Sequence, residues 1–361
     1  MTSSPAEPRP PGGAPPPSST LLAGHAIELE PLARETCRRY RAEHSDERAR
    51  YGAAGEAWCV HDTLYLLAWA ADDLRPGGAR LLGNVTWLAR VLDARRFPLD
   101  RLARNLQIAA DVVTDAGLPG AGALAARLRD AAASVLAGAP PERPPAGAPV
   151  RDAYLAALLR ADPHGARLVA EAALAAGMPL RELYLAVLQD ALHEVGRLWQ
   201  NGQATVAQEH LATATTQTLA ARLSAQLAVP PRPQLTAVVS GTEGELHALG
   251  ARFVADFLEG EGWAVIDLGA GTPTTDLVRT VSEQRPTLVC LSTALTTNLS
   301  HAQAAVDALR RLEDPLLIAV GGHAYHGDPA LADRLGADLH ATDAAAFMAL
   351  LHDRVTDAIG P

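Results

Sequence analysis

Apolar residues follow two different patterns along this chain. Up to about residue 228 they recur every three or four positions, which is typical of amphipathic helices. From residue 234 short apolar runs alternate with helical stretches, which is typical of strands followed by helices. Two proline-rich segments, 139–149 and 229–233, predict linkers between these regions.

The region before the first linker predicts one helical domain, preceded by a tail. Residues 1–20 are rich in Pro, Ser and Gly and lack the apolar core of a signal peptide, so they predict a disordered tail. A domain that is helical throughout is predicted over 21–138. Its helices are expected at 57–71, 79–93, 99–116 and 122–137.

A second helical domain is predicted over residues 150–228. Three breaks divide it into four helices joined by short loops, and short loops place neighbouring helices antiparallel in a four-helix bundle. The breaks lie at 162–163, 177–179 and 201–202. Thr205 and Gln208 have the spacing of a capping box and predict the start of the last helix.

The C-terminal region, 234–361, predicts a doubly wound parallel sheet of the flavodoxin or Rossmann-like type. Five apolar runs read as strands, and successive strands are separated by the length of a helix, as in βα units. The strands are expected at 235–240, 264–268, 287–292, 316–321 and 338–341. The fold class is therefore α plus α/β, with two helical domains and one α/β domain.

A histidine lies where such a sheet binds ligands. The run Glu245-Leu246-His247-Ala248-Leu249-Gly250 follows the first predicted strand, and ligands bind at this mouth of a doubly wound sheet. A carboxylate two residues before an imidazole can fix its tautomer and strengthen it as a metal ligand. Forty-one residues separate Gly250 from Ser292, and a Gly321-Gly322 pair follows. A loop histidine alone is more often a solvated side chain, but this spacing favours a binding site.

This spacing resembles the cobalamin-binding domains of methionine synthase, the cobalamin mutases and the CarH photoreceptors. Their pattern is Asp-x-His-x-x-Gly, a serine about forty-one residues on, and a Gly-Gly pair. The resemblance implies that His247 is the lower cobalt ligand and that the displaced base of cobalamin runs into a slot lined by Ser292 and Gly321-Gly322. The alternative is an ordinary flavodoxin-like domain with a chance match.

The chain departs from that pattern at two places. Glu245 stands where most members have aspartate, so its reach to His247 is longer. The usual Ser-x-Leu reads Ser292-Thr293-Ala294, with the leucine one place later at Leu295. Neither departure removes the match.

A second motif, Trp199 followed by Glu209-His210 after nine residues, resembles the W-x9-EH signature of the CarH-type photoreceptors. The resemblance implies that these side chains enclose the adenosyl group of adenosylcobalamin above the corrin. The alternative is a core tryptophan and a surface Glu-His pair. Gln200 stands where CarH proteins have a histidine that binds cobalt after illumination, so a two-histidine state would need His193 or His210, or would not form.

The N-terminal domain contains three of the five tryptophans within residues 58–87. With no helix-turn-helix before the bundle, the architecture looks like the photocobilins, which hold a bilin beside cobalamin. That likeness implies biliverdin as a second chromophore, with a thioether to Cys59 as one option and packing as the other. On that likeness the bilin propionates would pair with Arg90, Arg95 or Arg96, and the pyrrole nitrogens with His61 or Asp62. The alternative is the core of an interaction domain.

Composition argues against some functions and indicates a cellular compartment. A formal net charge of −10 argues against direct DNA binding. The sequence contains no stretch of 18 apolar residues, so no membrane span is predicted. Three cysteines without paired spacing predict a reducing cytoplasm and no disulfide.

The sequence thus favours a light-responsive adenosylcobalamin-binding protein that is not an enzyme. The output is expected to be a light-dependent homo-oligomer or the docking of a partner protein or enzyme. The alternative is a corrinoid methyl-carrier serving a methyltransferase system, and a third reading is a cobalamin-sensing regulator without photochemistry. A mutase is disfavoured because the chain has no room for the large barrel of those enzymes.

Overall fold

The computed structural model describes residues 16–75, 78, 80–138, 147–232, 234–326, 328 and 330–359. The chain divides into two compact units. Unit 1 comprises Met1–Arg143 with Gln200–Gly202, and unit 2 comprises Pro144–Trp199 with Gln203–Pro361. None of the described helices is long and apolar enough to cross a membrane.

Unit 1 is a set of five helices preceded by a small hairpin, counted over its described residues. The hairpin pairs β1 with β2 in antiparallel register. Its elements are β1 (Ser19–Leu22), β2 (His25–Glu28), α1 (Leu29–Glu43), α2 (Ser45–Asp72), α3 (Leu81–Ala94), α4 (Leu99–Asp115) and α5 (Ala121–Ala137). The last three helices and the second half of α2 match the sequence prediction.

The hairpin corrects the expectation that residues 21–138 are helical throughout. Ala23 and Gly24 adopt positive φ and turn the chain, so that Leu22 and Ile27 enter the helical core. Each strand of the hairpin has four residues, which is too short for the alternation of apolar and polar residues that identifies a strand in a sequence. The predicted tail is wrong at residues 19 and 20, which belong to β1, and its residues 1–15 lie outside the described part of the chain.

The three cysteines do not all remain unpaired. Cys37 on α1 and Cys59 on α2 form a disulfide, with Cα atoms 6.0 Å apart, whereas Cys290 is a buried free thiol. The expectation of no disulfide is therefore wrong. Spacing along the chain carries no information about this pair, because the packing of α1 against α2 is what brings the two sulfur atoms together.

Unit 2 begins with helices that stop where the sequence predicts breaks. Asp162 caps α7 through a bond from the Gly165 N–H, and Thr205 and Gln208 form the predicted capping box of α10. The helices are α6 (Pro149–Leu159), α7 (Pro163–Ala175), α8 (Leu180–Glu182), α9 (Asp190–Gln200) and α10 (Val206–Leu223), with a π-helical segment, Leu183–Gln189, joining α8 to α9. We call this set the helical layer.

The rest of unit 2 is the predicted α/β fold, with every strand of its sheet parallel. The strand order is β4-β3-β5-β6-β7, which is the flavodoxin-like arrangement. The strands are β3 (Thr236–Gly241), β4 (Ala264–Asp267), β5 (Leu288–Ser292), β6 (Leu317–Gly321) and β7 (Leu339–His340). The helices are α11 (Leu249–Glu259), α12 (Thr274–Gln284), α13 (Leu299–Leu309), α14 (Leu331–Arg334) and α15 (Ala344–Ile359).

The helical layer and the sheet domain share one hydrophobic core, so the two halves of unit 2 are packed together. Tyr184 of the π-helical segment stacks near Phe253 and Phe257 of α11, with ring centroids 4.8 and 5.9 Å away. Its hydroxyl lies 3.0 Å from Asp256 Oδ2 on α11 and 3.0 Å from the Ala220 carbonyl oxygen on α10. The predicted division of this region into two domains at residues 229–233 remains a prediction, and Pro233 lies outside the described residues.

Candidate functional site

The candidate site lies at the carboxyl ends of three neighbouring strands. In register, Gly241 of β3 lies beside Ser292 of β5, and Ser292 lies beside Gly321 of β6. The loop with Glu245 and His247 follows β3 directly. The boundary between β3 and β5 is the switch point of this sheet, where successive connections leave toward opposite sides and open a crevice for ligands.

His247 is presented by a buried carboxylate. Glu245 is fully buried, and its Oε1 accepts hydrogen bonds from the backbone N–H groups of Leu246 and His247, at 3.0 and 3.1 Å. The same oxygen contacts His247 Nδ1. Because Nδ1 is engaged, Nε2 is the nitrogen left to bind a metal, and the imidazole is half exposed. Helix α11 starts only at Leu249, because this carboxylate holds the preceding residues in a turn.

The pair has the electrostatics of an anion supporting a base. Burial acts to raise the pKa of Glu245, but the hydrogen bonds from the His247 ring and backbone and from Ala294 lower it to about 2. The hydrogen bond with Glu245 raises the pKa of His247. Glu245 is therefore a carboxylate at neutral pH and increases the basicity of the imidazole.

Of the three predicted glycines, Gly322 and Gly250 lie where a side chain would be crowded, whereas a Cβ on Gly321 would lie 3.7 Å from the Ala341 carbonyl oxygen, an ordinary contact. Gly322 has φ +106°, and a Cβ there would lie 2.4 Å from the Thr293 carbonyl oxygen. A Cβ on Gly250 would lie 3.2 Å from Ser292 Oγ, so glycine lets the start of α11 come close to the end of β5. Such close approaches are the main structural use of glycine.

Thr293 and Leu295 have different surroundings. Thr293 is fully buried and braces the turn after β5, since its N–H donates to the Gly321 carbonyl at 2.8 Å and its hydroxyl lies 3.3 Å from that of Thr242. Leu295 is 39% exposed, and its N–H donates to Glu245 Oε2. Leu295 therefore contributes to the site through its backbone.

The second predicted motif spans the junction of α9 and α10. Trp199 is half-buried near the end of α9, and Glu209 and His210 lie close to the start of α10. Glu209 Oε2 is 2.6 Å from His210 Nδ1, while Glu209 Oε1 accepts from the Thr213 hydroxyl at 3.1 Å. The hydrogen bond with Glu245 is the main cause of the raised pKa of His247, and the negative charge of Glu209 raises it further. The Glu209 carboxylate is thus within electrostatic reach of His247.

The two alternative cobalt donors have different neighbours. His193 on α9 lies beside His323, with ring centroids 6.3 Å apart, and His323 lies 4.9 Å from His326 after the Gly321-Gly322 turn. His210 instead has a carboxylate on Nδ1 and a largely exposed ring. The sequence did not predict the His193–His323 contact, because it joins residues that are far apart along the chain.

In unit 1 the structure brings together some of the predicted bilin contacts. His61 Nδ1 lies 3.0 Å from Asp62 Oδ1. An aromatic stripe runs along α2 with ring centroids 5.1 to 5.8 Å apart, and it consists of Trp58, His61, Tyr65 and Trp69. Arg90 is half-buried on α3, whereas Arg95 and Arg96 are exposed just after it. Cys59 is bonded to Cys37, so the thioether option is wrong for this state of the protein.

Comparison with known proteins identifies what this site belongs to. A family model described as "B12 binding domain" matches residues 235–351, and a second with the same description matches residues 150–224. Trimethylamine corrinoid protein 2 of Methanosarcina mazei is 31% identical over 186 residues, covering 49% of this chain and 82% of that protein. The chain therefore belongs to the B12-binding, or corrinoid, protein family.

Other relatives differ in what their names describe. The HTH-type transcriptional repressor CarH of Myxococcus xanthus is 34% identical over 187 residues, which cover 51% of this chain and 61% of CarH. A solved structure of the Methanosarcina barkeri monomethylamine corrinoid protein matches with a TM-score of 0.51 and 22% identity, covering 56% of this chain and 97% of that one. The structural match shows that this chain shares its fold.

The residues present fit a corrinoid. A corrin supplies its own equatorial nitrogens, so the protein needs to offer one axial donor, and His247 Nε2 is backed by a carboxylate for that role. Small residues stand beside this loop, since the start of α11 at Gly250 comes so near β5 that an added Cβ would lie 3.2 Å from Ser292 Oγ. The cofactor is therefore a cobalamin or related corrinoid, as the family match indicates.

Proposed function

We propose that this protein is a light-responsive adenosylcobalamin-binding receptor, with His247 as the lower cobalt ligand in the base-off, His-on mode. The helical layer would act as a four-helix bundle that caps the corrin. When bound, adenosylcobalamin would supply a cobalt–carbon bond that light can break. The site residues Ser292, Thr293, Leu295 and Gly321-Gly322 would hold the lower part of the cofactor.

One observation supports the proposal above all: the three residues of the W-x9-EH motif lie at one helix junction, with Trp199 near the end of α9 and Glu209 Oε2 2.6 Å from His210 Nδ1 near the start of α10. An aromatic ring together with polar side chains suits an upper group with both an apolar face and hydroxyls. Such contacts exist only while that group is present, so its loss would change the free energy of the capped state. The 34% identity to CarH over 187 residues supports the same assignment.

The test is a set of absorption spectra of the full chain loaded with adenosylcobalamin in the dark and then under green light. We expect a stable dark spectrum, a change on illumination, and no His-on spectrum in His247→Ala. Trp199→Ala should weaken binding of adenosylcobalamin more than that of methylcobalamin, whereas His164→Ala, on the exposed start of α7, should change neither. Equal effects of Trp199→Ala on both cobalamins would refute the assignment of the upper pocket.

A corrinoid methyl-carrier serving a methyltransferase system is the alternative, and a specific observation favours it. Corrinoid proteins named for methylamines match this chain over most of their own length, at 27% to 31% identity for three of them. On this alternative the protein carries a methyl group and, as in the first proposal, is not itself a catalyst. Tight methylcobalamin binding with no preference for the adenosyl form would decide for it, and cobalamin binding without a light effect would indicate a regulator without photochemistry.

For unit 1 we propose biliverdin as a second ligand. The support is the aromatic stripe on α2, together with the Trp69 indole N–H, which is buried without a hydrogen-bond partner among the described residues. A red-absorbing band that appears when biliverdin is added to the full chain, and is lost in His61→Ala but kept in His25→Ala, is the expected result. No band in the wild-type chain would overturn this proposal.

The output is proposed to be a change of assembly. A light-dependent homo-oligomer, or docking of a partner protein or enzyme without direct DNA binding, follows if the cap moves when the upper group is lost. Size-exclusion chromatography of dark and illuminated protein loaded with adenosylcobalamin tests this, with hydroxocobalamin-loaded protein as the matched light-insensitive control. The cytoplasmic location stays a prediction, and the Cys37–Cys59 disulfide removes the unpaired cysteines from which it was inferred.

A further inference from the structure

Two buried polar side chains contact the sulfur atoms of the Cys37–Cys59 disulfide. Thr63 on α2 places its hydroxyl 3.5 Å from Cys37 Sγ, and Asn105 on α4 places its amide nitrogen 3.8 Å from Cys59 Sγ. The two polar groups also contact each other, because Thr63 Oγ1 lies 3.3 Å from Asn105 Oδ1. Thr63 is 1% exposed and Asn105 is 9% exposed. Water is therefore largely excluded, and these side chains depend on each other and on the sulfur atoms for hydrogen bonds.

Three contacts thus connect one sulfur atom to the other through Thr63 and Asn105. In the disulfide neither sulfur carries a hydrogen, so the two polar side chains must supply every donor. Thr63 has a single hydroxyl hydrogen for its two contacts, and the Asn105 amide N–H serves the contact on one side only. Turning the amide over moves the N–H to the other neighbour and leaves the number of donors unchanged. While the disulfide is closed, at most two of the three contacts are hydrogen bonds.

Reduction of the disulfide supplies the missing hydrogen. A thiol is a weak donor, so Cys37 S–H can donate to Thr63 Oγ1, and the Thr63 hydroxyl can then donate to Asn105 Oδ1. The Asn105 amide N–H keeps its contact with Cys59 Sγ. Each of the three contacts then has one hydrogen. Because a buried polar group without a partner costs free energy, this network stabilises the dithiol more than the disulfide.

We propose that Cys37 and Cys59 are a redox-active site, a reversible thiol–disulfide couple that reacts with dithiols, and that Thr63 and Asn105 set its equilibrium by stabilising the reduced form. Cys59 is half-buried whereas Cys37 is 2% exposed, so a thiolate of the reacting dithiol attacks Cys59 Sγ. The bond between the two protein sulfur atoms breaks as the mixed disulfide forms. Cys37 leaves with the electron pair as a thiolate, next to the Thr63 hydroxyl, and then takes a proton from water.

The second thiol of the reacting dithiol completes the exchange. It attacks its own sulfur partner in the mixed disulfide, releases Cys59 as a thiol, and closes a disulfide within the reacting molecule. The protein pair has then gained two electrons and two protons, and the dithiol has lost them. The reverse sequence closes the protein disulfide again. Reduction therefore opens the covalent tie between α1 and the part of α2 that carries the aromatic stripe.

The experiment measures the thiol–disulfide equilibrium in the full chain. The protein is equilibrated in buffers with graded ratios of reduced to oxidised dithiothreitol, and circular dichroism at each ratio verifies that it stays folded. After an acid quench and unfolding, free thiols are alkylated with one reagent and, after full reduction, the remaining ones with a heavier reagent. Peptide mapping then gives the reduced fraction of Cys37 and Cys59, with the unpaired Cys290 as the internal standard for alkylation.

Three variants separate the role of the hydroxyl from that of packing. Thr63→Val keeps the shape and removes the hydroxyl, whereas Thr63→Ser keeps the hydroxyl. Thr36→Val is the matched control, because Thr36 is fully buried beside Cys37 and its hydroxyl donates within its own helix, to the Leu32 carbonyl at 2.8 Å.

We expect the wild-type pair to be reduced and reoxidised reversibly in the folded chain. Thr63→Val removes two hydrogen bonds from the dithiol and one from the disulfide, so its equilibrium should move toward the disulfide by about 2–10-fold, the effect of one net hydrogen bond. Thr63→Ser and Thr36→Val should match the wild type. If Thr63→Val fails to fold, Asn105→Leu decides, because it removes the same difference of one bond. A pair that stays cross-linked until the chain unfolds, or an equilibrium that the substitution leaves unchanged or moves toward the dithiol, would overturn the inference.

Discussion

The hydroxyl of Tyr184 is predicted to hold the helical layer to the sheet domain. Tyr184→Phe keeps the ring, which is fully buried, and removes an oxygen 3.0 Å from both Asp256 Oδ2 and the Ala220 carbonyl oxygen. No large cavity forms, so packing contributes little to the change. The substitution removes the hydroxyl that donates to two acceptors, one in the helical layer and one in the sheet domain of unit 2.

The magnitude follows from those acceptors. A hydrogen bond to a charged group contributes about 1.5–3 kcal/mol, and an acceptor left unsatisfied in the interior costs about 1–3 kcal/mol. Asp256 keeps its ion pair with Arg252 and the Ala220 carbonyl keeps its bond from the Ser224 N–H, so neither acceptor is left without a partner and we expect Tyr184→Phe to lower the unfolding free energy of unit 2 by about 1.5–3 kcal/mol. Tyr154→Phe is the matched control, because this equally buried hydroxyl contacts only the neutral Thr216 hydroxyl, at 3.0 Å, among the described residues. It should cost about 1 kcal/mol.

The assay is native-state hydrogen exchange read by mass spectrometry on the full chain. A chain with two compact units has no single unfolding free energy, and exchange resolves peptides of each unit separately. Peptides from Leu249–Glu259 should lose protection in Tyr184→Phe and keep it in Tyr154→Phe, while α4 peptides of unit 1 stay unchanged. A loss no larger in Tyr184→Phe than in Tyr154→Phe would refute the reasoning.

Three further predictions follow. Gly322→Ala should destabilise unit 2 and abolish cobalamin binding, because its Cβ would overlap the Thr293 carbonyl; thermal unfolding with a cobalamin titration checks this. Burial raises the pKa of the Asp256 carboxyl group. The stability that this group contributes is therefore fully present below the ordinary pKa range of aspartate and is lost as pH rises through the raised pKa. Asp256→Asn should flatten that decline in a pH series of urea unfolding. Non-reducing peptide mapping should recover Cys37 and Cys59 as one cross-linked pair, and finding both alkylated would contradict it.

The sheet domain was predictable because its signals are local and repeated. Every predicted strand lies within one residue of β3 to β7 at each end, since buried parallel strands are continuous apolar runs bounded by polar turns. The helix breaks were equally readable, because Gly177 and Gly202 adopt positive φ at the predicted boundaries. The candidate site residues came from the resemblance to cobalamin-binding domains, and the parallel strand order places Gly241, Ser292 and Gly321 at adjacent strand ends.

The features that could not be predicted from the sequence depend on contacts between residues that are far apart along the chain. The Cys37–Cys59 bond depends on how two helices pack, and Asn298, which would be expected to cap α13 on local grounds, donates to Glu245 instead. The Tyr184–Asp256 contact joins residues 72 positions apart. In each case the local pattern permits several partners, and only the tertiary arrangement selects one.

The π-helical segment Leu183–Gln189 determines how the two ends of one continuous helical rod are rotated about its axis. Tyr184, near the start, is anchored to the sheet domain, and Trp199 lies near the other end. Each residue of an α-helix turns the chain by about 100°, and a π turn contains one residue more than an α turn. Removing one residue from this segment would leave the anchor in place and carry the indole about a quarter-turn around the rod. The wide turn therefore acts as an angular offset between the point of attachment and the aromatic side chain.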